Sequence, residues 1–232
     1  MAIADKIREF MERSSWIRKM FEEGAALKEK YGAENVYDFT LGNPDVPPPP
    51  AVEEELLRII REPAPMKYGY MPNSGYPETR QAVADWLSQE QQVPVPAAAV
   101  VMTCGAGGAL NVIFKTLLNP GDEVLAPRPY FVEYNFYVDN HGGRLRTTDP
   151  QPDFTPDLEA IEAAISEKTK AVIINSPNNP TGVIFPQSLI TDLGRLLARK
   201  SAELGRPIYL ISDEPYRKII YDDAVVPPIF PA

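Results

Sequence analysis

Residues 171–182 have the sequence AVIINSPNNPTG, in which an apolar run leads directly into a polar turn. The same arrangement recurs later, because the apolar run IYLI at 208–211 precedes the turn DEPY at 213–216. Short apolar runs bounded by turn residues are typical of buried parallel strands. In an open α/β sheet, ligands bind at the carboxyl ends of the strands. The amide, acid and phenol groups of the two turns are therefore expected to converge on one crevice.

The alternation of strands and helices extends over most of the chain after residue 98. Strands are predicted at 100–102, 123–125, 145–147, 171–175 and 208–212, with helices between them. One of these helices is predicted to begin with Thr155 as its cap and Pro156 in its first turn. Successive βαβ units form a parallel sheet with helices on both faces. The sequence thus predicts an α/β fold with a three-layer αβα large domain and a mostly parallel sheet.

The N-terminal part of the chain has a different pattern. Apolar residues recur there at helical spacing, which predicts one or two amphipathic helices, followed by a short strand at 36–41 and a proline-rich loop. Further helices are predicted at 52–61 and from Pro77, a residue that suits a first helical turn. We place a boundary near residue 50, between a helical N-terminal arm (1–50) and the large domain (51–232).

Composition excludes several classes of protein. The net charge of −9 argues against nucleic acid as a partner. No apolar run is long enough to span a membrane, and no signal peptide is recognisable, so we expect no membrane partner. A single cysteine, Cys104, fits the reducing cytoplasm. His141 is the only histidine, which rules out a histidine-based metal cluster or a Ser-His-Asp triad.

A glycine-rich turn, TCGAGGA at 103–109, follows one predicted strand and opens a helix. Small residues at that place let backbone N–H groups approach an anion at the helix N-terminus. A tight turn without a ligand is an equally good interpretation of this motif on its own. The spacing matches neither a Walker A sequence nor the Rossmann fingerprint. The amide, acid and phenol of the other two turns suit an aromatic cofactor that carries a basic ring nitrogen and a phenolate.

The two turns NNPTG at 178–182 and DEPY at 213–216 together closely resemble the class I/II, fold type I aminotransferases, which use pyridoxal 5′-phosphate. The resemblance implies that Asp213 forms a salt bridge with the protonated pyridine nitrogen, worth roughly 4 kcal/mol at about 4 Å and an effective dielectric near 20. It also implies that Asn179 and Tyr216 donate hydrogen bonds to the ring's phenolate oxygen. The plain structural alternatives are a strand-end cap for Asp213 and an ordinary turn for residues 179–182.

The resemblance assigns roles to further residues. Gly105, Ala106 and Gly107 would hold the cofactor phosphate. Phe131 would stack on the ring, with Tyr130 as the alternative if the register is off by one and core packing as the alternative for both. Tyr70 would reach the phosphate of the neighbouring subunit in a homodimer. Gly42 would lie beside the substrate carboxylate, Asn179 would also bind the substrate, and residues 1–50 would contribute to a small domain that covers the active site.

The resemblance also defines what the chain lacks. The family's Schiff-base lysine follows the Asp-x-x-Tyr motif on a later strand, and Lys218, only five residues after Asp213, does not match it. We therefore expect an N-terminal fragment, with the large domain incomplete at its C-terminus, of an enzyme that moves an amino group between an amino acid and a 2-oxo acid. The fragment itself is expected to be inactive. The alternatives are a C–S lyase or a cyclopropane-forming synthase on the same scaffold, and a noncatalytic fragment.

Overall fold

The computed structural model describes residues 2–13, 15–39, 46–65 and 67–231. It divides into two compact units, Met1–Gly69 and Tyr70–Ala232. None of the helices in the described ranges combines the length and apolar character needed to cross a membrane. The boundary predicted near residue 50 separates two parts of the chain by their expected roles. The division at Gly69 instead separates two parts that are each compact.

The first unit is helical. Its helices are α1 (Asp5–Arg13), α2 (Ser15–Tyr31) and α3 (Pro50–Arg61), with a short 3₁₀ turn at Ala33–Asn35. The predicted helical arm is thereby confirmed. The strand predicted at 36–41 is wrong over 36–39, the part of it that the structure describes. Tyr37 and Phe39 are 84% and 93% exposed, so their apolar side chains have no sheet face to cover.

The second unit is built on a parallel sheet of four strands. These are β1 (Glu123–Pro127), β2 (Arg144–Thr148), β3 (Thr169–Asn175) and β4 (Tyr209–Asp213), in the order β2-β1-β3-β4. All three neighbouring pairs are parallel, and Asn175 lies opposite Asp213 at the ends of β3 and β4. Four of the five strands predicted after residue 98 are therefore confirmed.

Helices cover both faces of this sheet. Val124 and Ile173 point to one face, where they pack with α5 (Gly105–Leu117) and α6 (Tyr134–Asp139). Their neighbours Leu125, Val172 and Ile174 point to the other face, where they pack with α7 (Leu158–Ala164) and α8 (Gln187–Leu204). Alternate residues of a strand face opposite sides, so burial of both sides explains the continuous apolar runs. The predicted three-layer αβα arrangement is confirmed.

Two local predictions in this unit are wrong. Residues 100–102 form no strand, because the carbonyl of Val100 accepts a hydrogen bond from the Arg80 guanidinium at 2.8 Å and the N–H of Met102 donates to Ser74 at 3.0 Å. The backbone groups of Val100 and Met102 therefore form hydrogen bonds, but not with a neighbouring strand.

The second error is the start of α7. Its cap is Asp157, whose carboxylate accepts from the N–H groups of Glu159 at 2.9 Å and Ala160 at 3.2 Å. Thr155 instead donates its hydroxyl to Asp153 at 2.6 Å. A carboxylate favours the positive end of a helix, so Asp157 caps α7 in place of Thr155.

The helix predicted from Pro77 is confirmed as α4 (Pro77–Gln91), with Pro77 at its first position. Its last turn is joined to later parts of the unit. Glu90 accepts hydrogen bonds from Lys218 at 2.6 Å and Arg217 at 3.4 Å. The buried Gln91 accepts from the N–H of Ile229 at 2.7 Å. These contacts hold α4 beside the turn that follows β4.

Candidate functional site

The turns after β3 and β4 are joined by one buried side chain, Asn175. Its amide nitrogen donates to the main-chain oxygen of Asp213 at 2.8 Å. Its oxygen accepts from the N–H of Asn179 at 2.6 Å. Because both ends of the amide are used, the positions of Asn179 and Asp213 are set relative to each other by a single rigid group.

Asp213 is a buried carboxyl group at the last position of β4. The residue is 9% exposed, and its Oδ2 accepts a hydrogen bond from the Tyr134 hydroxyl at 2.6 Å. Burial raises the pKa of Asp213, while the hydrogen bond from Tyr134 opposes that rise. Burial and the neighbouring carboxylate raise the pKa of Tyr134 as well, so its proton stays on the phenol. A carboxylate in such poorly solvated surroundings attracts a cation more strongly than one in water.

An amide and a phenol face each other across the site. The Asn179 side chain donates to the Tyr216 hydroxyl at 3.1 Å. Both side chains are half-buried. Groups this close can both donate to a single oxygen acceptor placed between them.

The N-terminus of α5 forms another wall. Gly105 opens the helix with φ +70°, a conformation that glycine adopts without strain. The N–H of Gly105 donates to the carbonyl oxygen of Thr103 at 3.0 Å. Cys104, the capping residue, makes no side-chain hydrogen bond to the first turn, so the N–H groups of Ala106 and Gly107 remain available to an anion. A Cβ atom at Gly107 would lie 2.9 Å from the Tyr137 hydroxyl oxygen. Glycine at this position therefore keeps the space beside the first turn open.

These groups line one cavity of about 180 Å³. Its walls are Ala106, Gly107, Leu110, Phe131, Tyr137, Asn175, Asn179, Asp213, Pro215 and Tyr216. Six of the residues assigned by resemblance to cofactor binding thus share one enclosure, although they come from four separate stretches of sequence. Within the described ranges, no lysine lines this cavity.

The remaining predicted residues lie elsewhere. Gly105 immediately precedes the wall residue Ala106 but does not itself line the cavity. Phe131 is a wall residue, whereas the alternative Tyr130 is not; Tyr130 stacks on Tyr134 with ring centroids 6.4 Å apart. Tyr70 is fully exposed and lies outside the cavity. Gly42 falls outside the described residues.

Sequence reasoning missed Asn175, Tyr137 and the role of Tyr134. A signal existed for Asn175, which is the polar last residue of an apolar strand, four positions before Asn179. No comparable signal existed for Tyr134, because its partner Asp213 lies 79 positions away in sequence. An aromatic residue in a core helix is ordinary packing unless a buried polar partner is known.

The donor set fits the cofactor that the sequence resemblance implies. Pyridoxal 5′-phosphate carries an anion, a basic ring nitrogen, a phenolate oxygen and an aromatic face. The cavity offers a helix N-terminus, a buried carboxylate, an amide–phenol pair and the Phe131 ring. Among the described residues, no group of three or more His, Cys, Asp or Glu side chains is placed to hold a metal ion. The fold and the cavity together define an α/β protein with a pocket at the carboxyl ends of its parallel strands, and the donors of this pocket suit an aromatic, phosphorylated cofactor.

Comparison with known sequences assigns the family. Residues 34–229 match aminotransferase class I and II, and the chain belongs to this family of pyridoxal phosphate-dependent aminotransferases. A probable aspartate/prephenate aminotransferase of Thermus aquaticus is 36% identical over 201 residues, which cover 86% of this chain and 50% of that protein. A probable aspartate aminotransferase of Methanocaldococcus jannaschii is 35% identical over 182 residues, covering 78% and 46% respectively. The chain spans about half the length of the curated relatives it matches.

Solved structures of aminotransferases have the same fold as this chain. An amino transferase from Eubacterium rectale superposes with a TM-score of 0.93 at 37% identity, covering 100% of this chain and 59% of that one. An aspartate aminotransferase from Thermotoga maritima superposes with a TM-score of 0.77 at 33% identity, covering 91% and 54%. The fold predicted from strand and helix alternation is thus the fold of the family.

Proposed function

We propose that this protein binds pyridoxal 5′-phosphate in the cavity between β3, β4 and α5. We further propose that it provides the cofactor site of an enzyme that moves an amino group between an amino acid and a 2-oxo acid. The observation that carries the proposal is the buried carboxylate of Asp213, held in one enclosure with the Asn179–Tyr216 pair. Its family membership supports the same reaction class. A role in amino acid metabolism belongs to the proposal and is supported by the family membership. A cytoplasmic location also belongs to it and is supported by the single cysteine.

Each wall of the cavity would have one task. The cofactor, when bound, supplies a cationic ring that withdraws electrons from the substrate's Cα. Asp213 keeps the proton on the ring nitrogen, because a buried carboxylate stabilises a neighbouring cation. Asn179 and Tyr216 orient the ring through its phenolate oxygen. Phe131 covers one face of the ring, and the first turn of α5 binds the phosphate.

A chimera tests the reaction. Residues 1–232 would replace the matched part of the Eubacterium rectale amino transferase, whose chain extends well beyond the match. We expect the purified chimera to transfer the amino group of one or more amino acids to 2-oxoglutarate. A folded chimera that binds the cofactor but transfers no amino group, while it releases pyruvate from a β-substituted amino acid, would favour the lyase alternative instead.

Gly107→Ala is expected to weaken binding of pyridoxamine 5′-phosphate to the 232-residue protein by at least about tenfold, the order of a modest overpacking penalty. The added methyl group would lie 2.9 Å from the Tyr137 hydroxyl and would take up cavity volume. Pyridoxamine phosphate is a suitable probe because it binds without a lysine. Fluorescence titration measures the affinity.

Gly108→Ala is the matched control. It adds the same methyl group one residue along α5, where the nearest atoms lie at an ordinary 3.7 Å. Its affinity should equal that of the unmodified protein. Equal affinities for all three proteins would place the cofactor outside this cavity. Pyridoxamine without the phosphate should bind far more weakly, because the N-terminus of α5 then has no anion to hold.

Assembly forms part of the proposal. Tyr70 is fully exposed on its own unit, and the family resemblance gives it a role only on the phosphate of a neighbouring subunit. We expect the chimera to be a homodimer and Tyr70→Phe to weaken its cofactor binding. Analytical ultracentrifugation measures the first property, and fluorescence titration the second. A chimera that is strictly monomeric at micromolar concentration and still active would exclude this role for Tyr70.

A further inference from the structure

Tyr134 contacts two groups of the proposed cofactor site without lining the cavity itself. Its hydroxyl donates to Oδ2 of Asp213 at 2.6 Å, and the residue is only 1% exposed. Its ring meets that of Phe131 edge to face, with centroids 5.7 Å apart. Tyr134 therefore lies behind the site, in contact with both the carboxylate and the aromatic wall.

The hydrogen bond distinguishes the two carboxylate oxygens of Asp213. Oδ2 is occupied by Tyr134, and in the part of the chain that the structure describes Oδ1 accepts no hydrogen bond. Asp213 as a whole is a wall residue of the cavity. Rotation of the carboxyl group would break its short hydrogen bond with the Tyr134 hydroxyl. Water could not replace this hydrogen bond, because Tyr134 is buried. The bond thus selects one side-chain orientation.

The main chain of Asp213 is fixed independently. Asn175 donates to its carbonyl oxygen at 2.8 Å and accepts from the N–H of Asn179 at 2.6 Å. Asn175 thus holds the main chain of Asp213, and Tyr134 holds its carboxylate. Preorganisation of this kind removes the cost of ordering a charged group when a ligand binds.

We propose that Tyr134 is a positioning residue, whose hydroxyl holds Oδ2 of Asp213 so that Oδ1 is the oxygen presented to a ring nitrogen in the cavity. The ligand part of this inference rests on the proposed function; the orientation of Asp213 does not. The phenol also stabilises the ionised carboxylate, because it donates a proton that it does not release. Tyr134 therefore orients the Asp213 carboxyl group and favours its charged form against the effect of burial.

The test is Tyr134→Phe, which removes the hydroxyl and keeps the ring contact with Phe131. Tyr130→Phe is the matched control: it makes the same change in the ring stacked on Tyr134, and its hydroxyl is bonded to Asn135. The first readout is the pKa of the Asp213 carboxyl in the cofactor-free protein, followed by carbon-13 NMR. The other titratable groups near Asp213 are Tyr137, Tyr216 and Glu214. Burial raises the pKa of Glu214 too, so a residue-specific signal is required.

We expect Tyr134→Phe to raise the pKa of Asp213, because burial then acts without the opposing hydrogen bond, and Tyr130→Phe to leave it unchanged. The second readout is the pH dependence of pyridoxamine phosphate affinity. Tyr134→Phe should lower that affinity by about tenfold, the order of one hydrogen bond to a charged group, and shift the profile to higher pH. In an Asp213→Asn background the same substitution should have no further effect on affinity.

An Asp213 pKa that is identical in Tyr134→Phe and Tyr130→Phe would overturn the proposal. So would an equal loss of affinity on adding Tyr134→Phe to the Asp213→Asn background, since that is the signature of a merely structural tyrosine. The failure of the proposed function has a different signature. In that case the unmodified protein would not bind the probe at all, while the NMR measurement would still decide whether the Tyr134 hydroxyl is bonded to the Asp213 carboxylate.

Discussion

Asp213→Asn is expected to lower the turnover of the chimera by about a thousandfold, which corresponds to a loss of about 4 kcal/mol for a close charge pair at intermediate dielectric. The amide is nearly isosteric with the carboxylate, and its oxygen can still accept the hydrogen bond from Tyr134. What it cannot do is keep a proton on the ring nitrogen. The cause is the loss of the electron sink, and the measurement is steady-state kinetics together with circular dichroism.

Asp192→Asn serves as the matched control. Asp192 is an exposed residue of α8 that pairs with Arg195 at 3.0 Å on the same helix, an arrangement that contributes little to stability. Its kinetics should match those of the unmodified chimera. Near-normal turnover in Asp213→Asn would show that Asp213 only caps the end of β4.

In the cofactor-free protein, Asp213→Asn is expected to stabilise the fold. Burial raises the pKa of Asp213 in the folded state above its unfolded value. Such a group stabilises the fold fully below the unfolded pKa and loses that contribution as the pH rises through the folded pKa. Asp213→Asn abolishes this loss. We therefore expect a higher free energy of unfolding at neutral pH, by about 1.4 kcal/mol for each unit of pKa shift, and a flatter pH dependence, measured by urea unfolding.

The second large effect is the absence of covalent cofactor in the 232-residue protein. Within the described ranges the cavity has no lysine among its walls. The lysine nearest to Asp213 in sequence, Lys218, donates to Glu90 at 2.6 Å and lies over the Trp86 ring. Addition of pyridoxal phosphate, an amino acid and 2-oxoglutarate should therefore give no turnover above the rate of free cofactor.

Reduction with borohydride provides the direct measurement. Exposed lysines trap some cofactor on any protein surface, so mass spectrometry of peptides should be run with and without excess pyridoxamine phosphate. A lysine that reaches the cavity would be protected by this competitor, whereas a surface lysine would not. We expect no protected lysine. Protection of Lys218 would mean that its pairing with Glu90 opens and that the protein carries its own anchor.

The two central strands, β1 and β3, were predictable because they are buried on both faces, which leaves an uninterrupted apolar run such as residues 171–174. The edge strand β2 is largely exposed and has no such run. The strand predicted at 100–102 failed for a reason that sequence does not contain. Its residues are apolar and Val100 has extended torsions, but Arg80 binds its carbonyl and no described strand lies alongside. A strand requires a partner, and whether one is present is decided by the rest of the fold.

The candidate site, too, was predictable from sequence only in part. Asn179, Asp213 and Tyr216 could be named from sequence because each follows a strand end, and parallel strands bring their ends to one edge. That they, with Gly107 and Phe131, enclose a single cavity is a property of the folded chain.

The sequence by itself determined the α/β class, the parallel sheet and the polar residues at its edge, because hydrophobic periodicity and turn chemistry are local properties of the chain. Only the tertiary structure decided how those residues are held. The Tyr134–Asp213 hydrogen bond joins positions 79 residues apart, and Asn175 ties Asn179 to Asp213 across two strands. Such contacts depend on the packing of α6 against β4 and on the register of β3 with β4, which arise from the burial of whole faces rather than from any one segment.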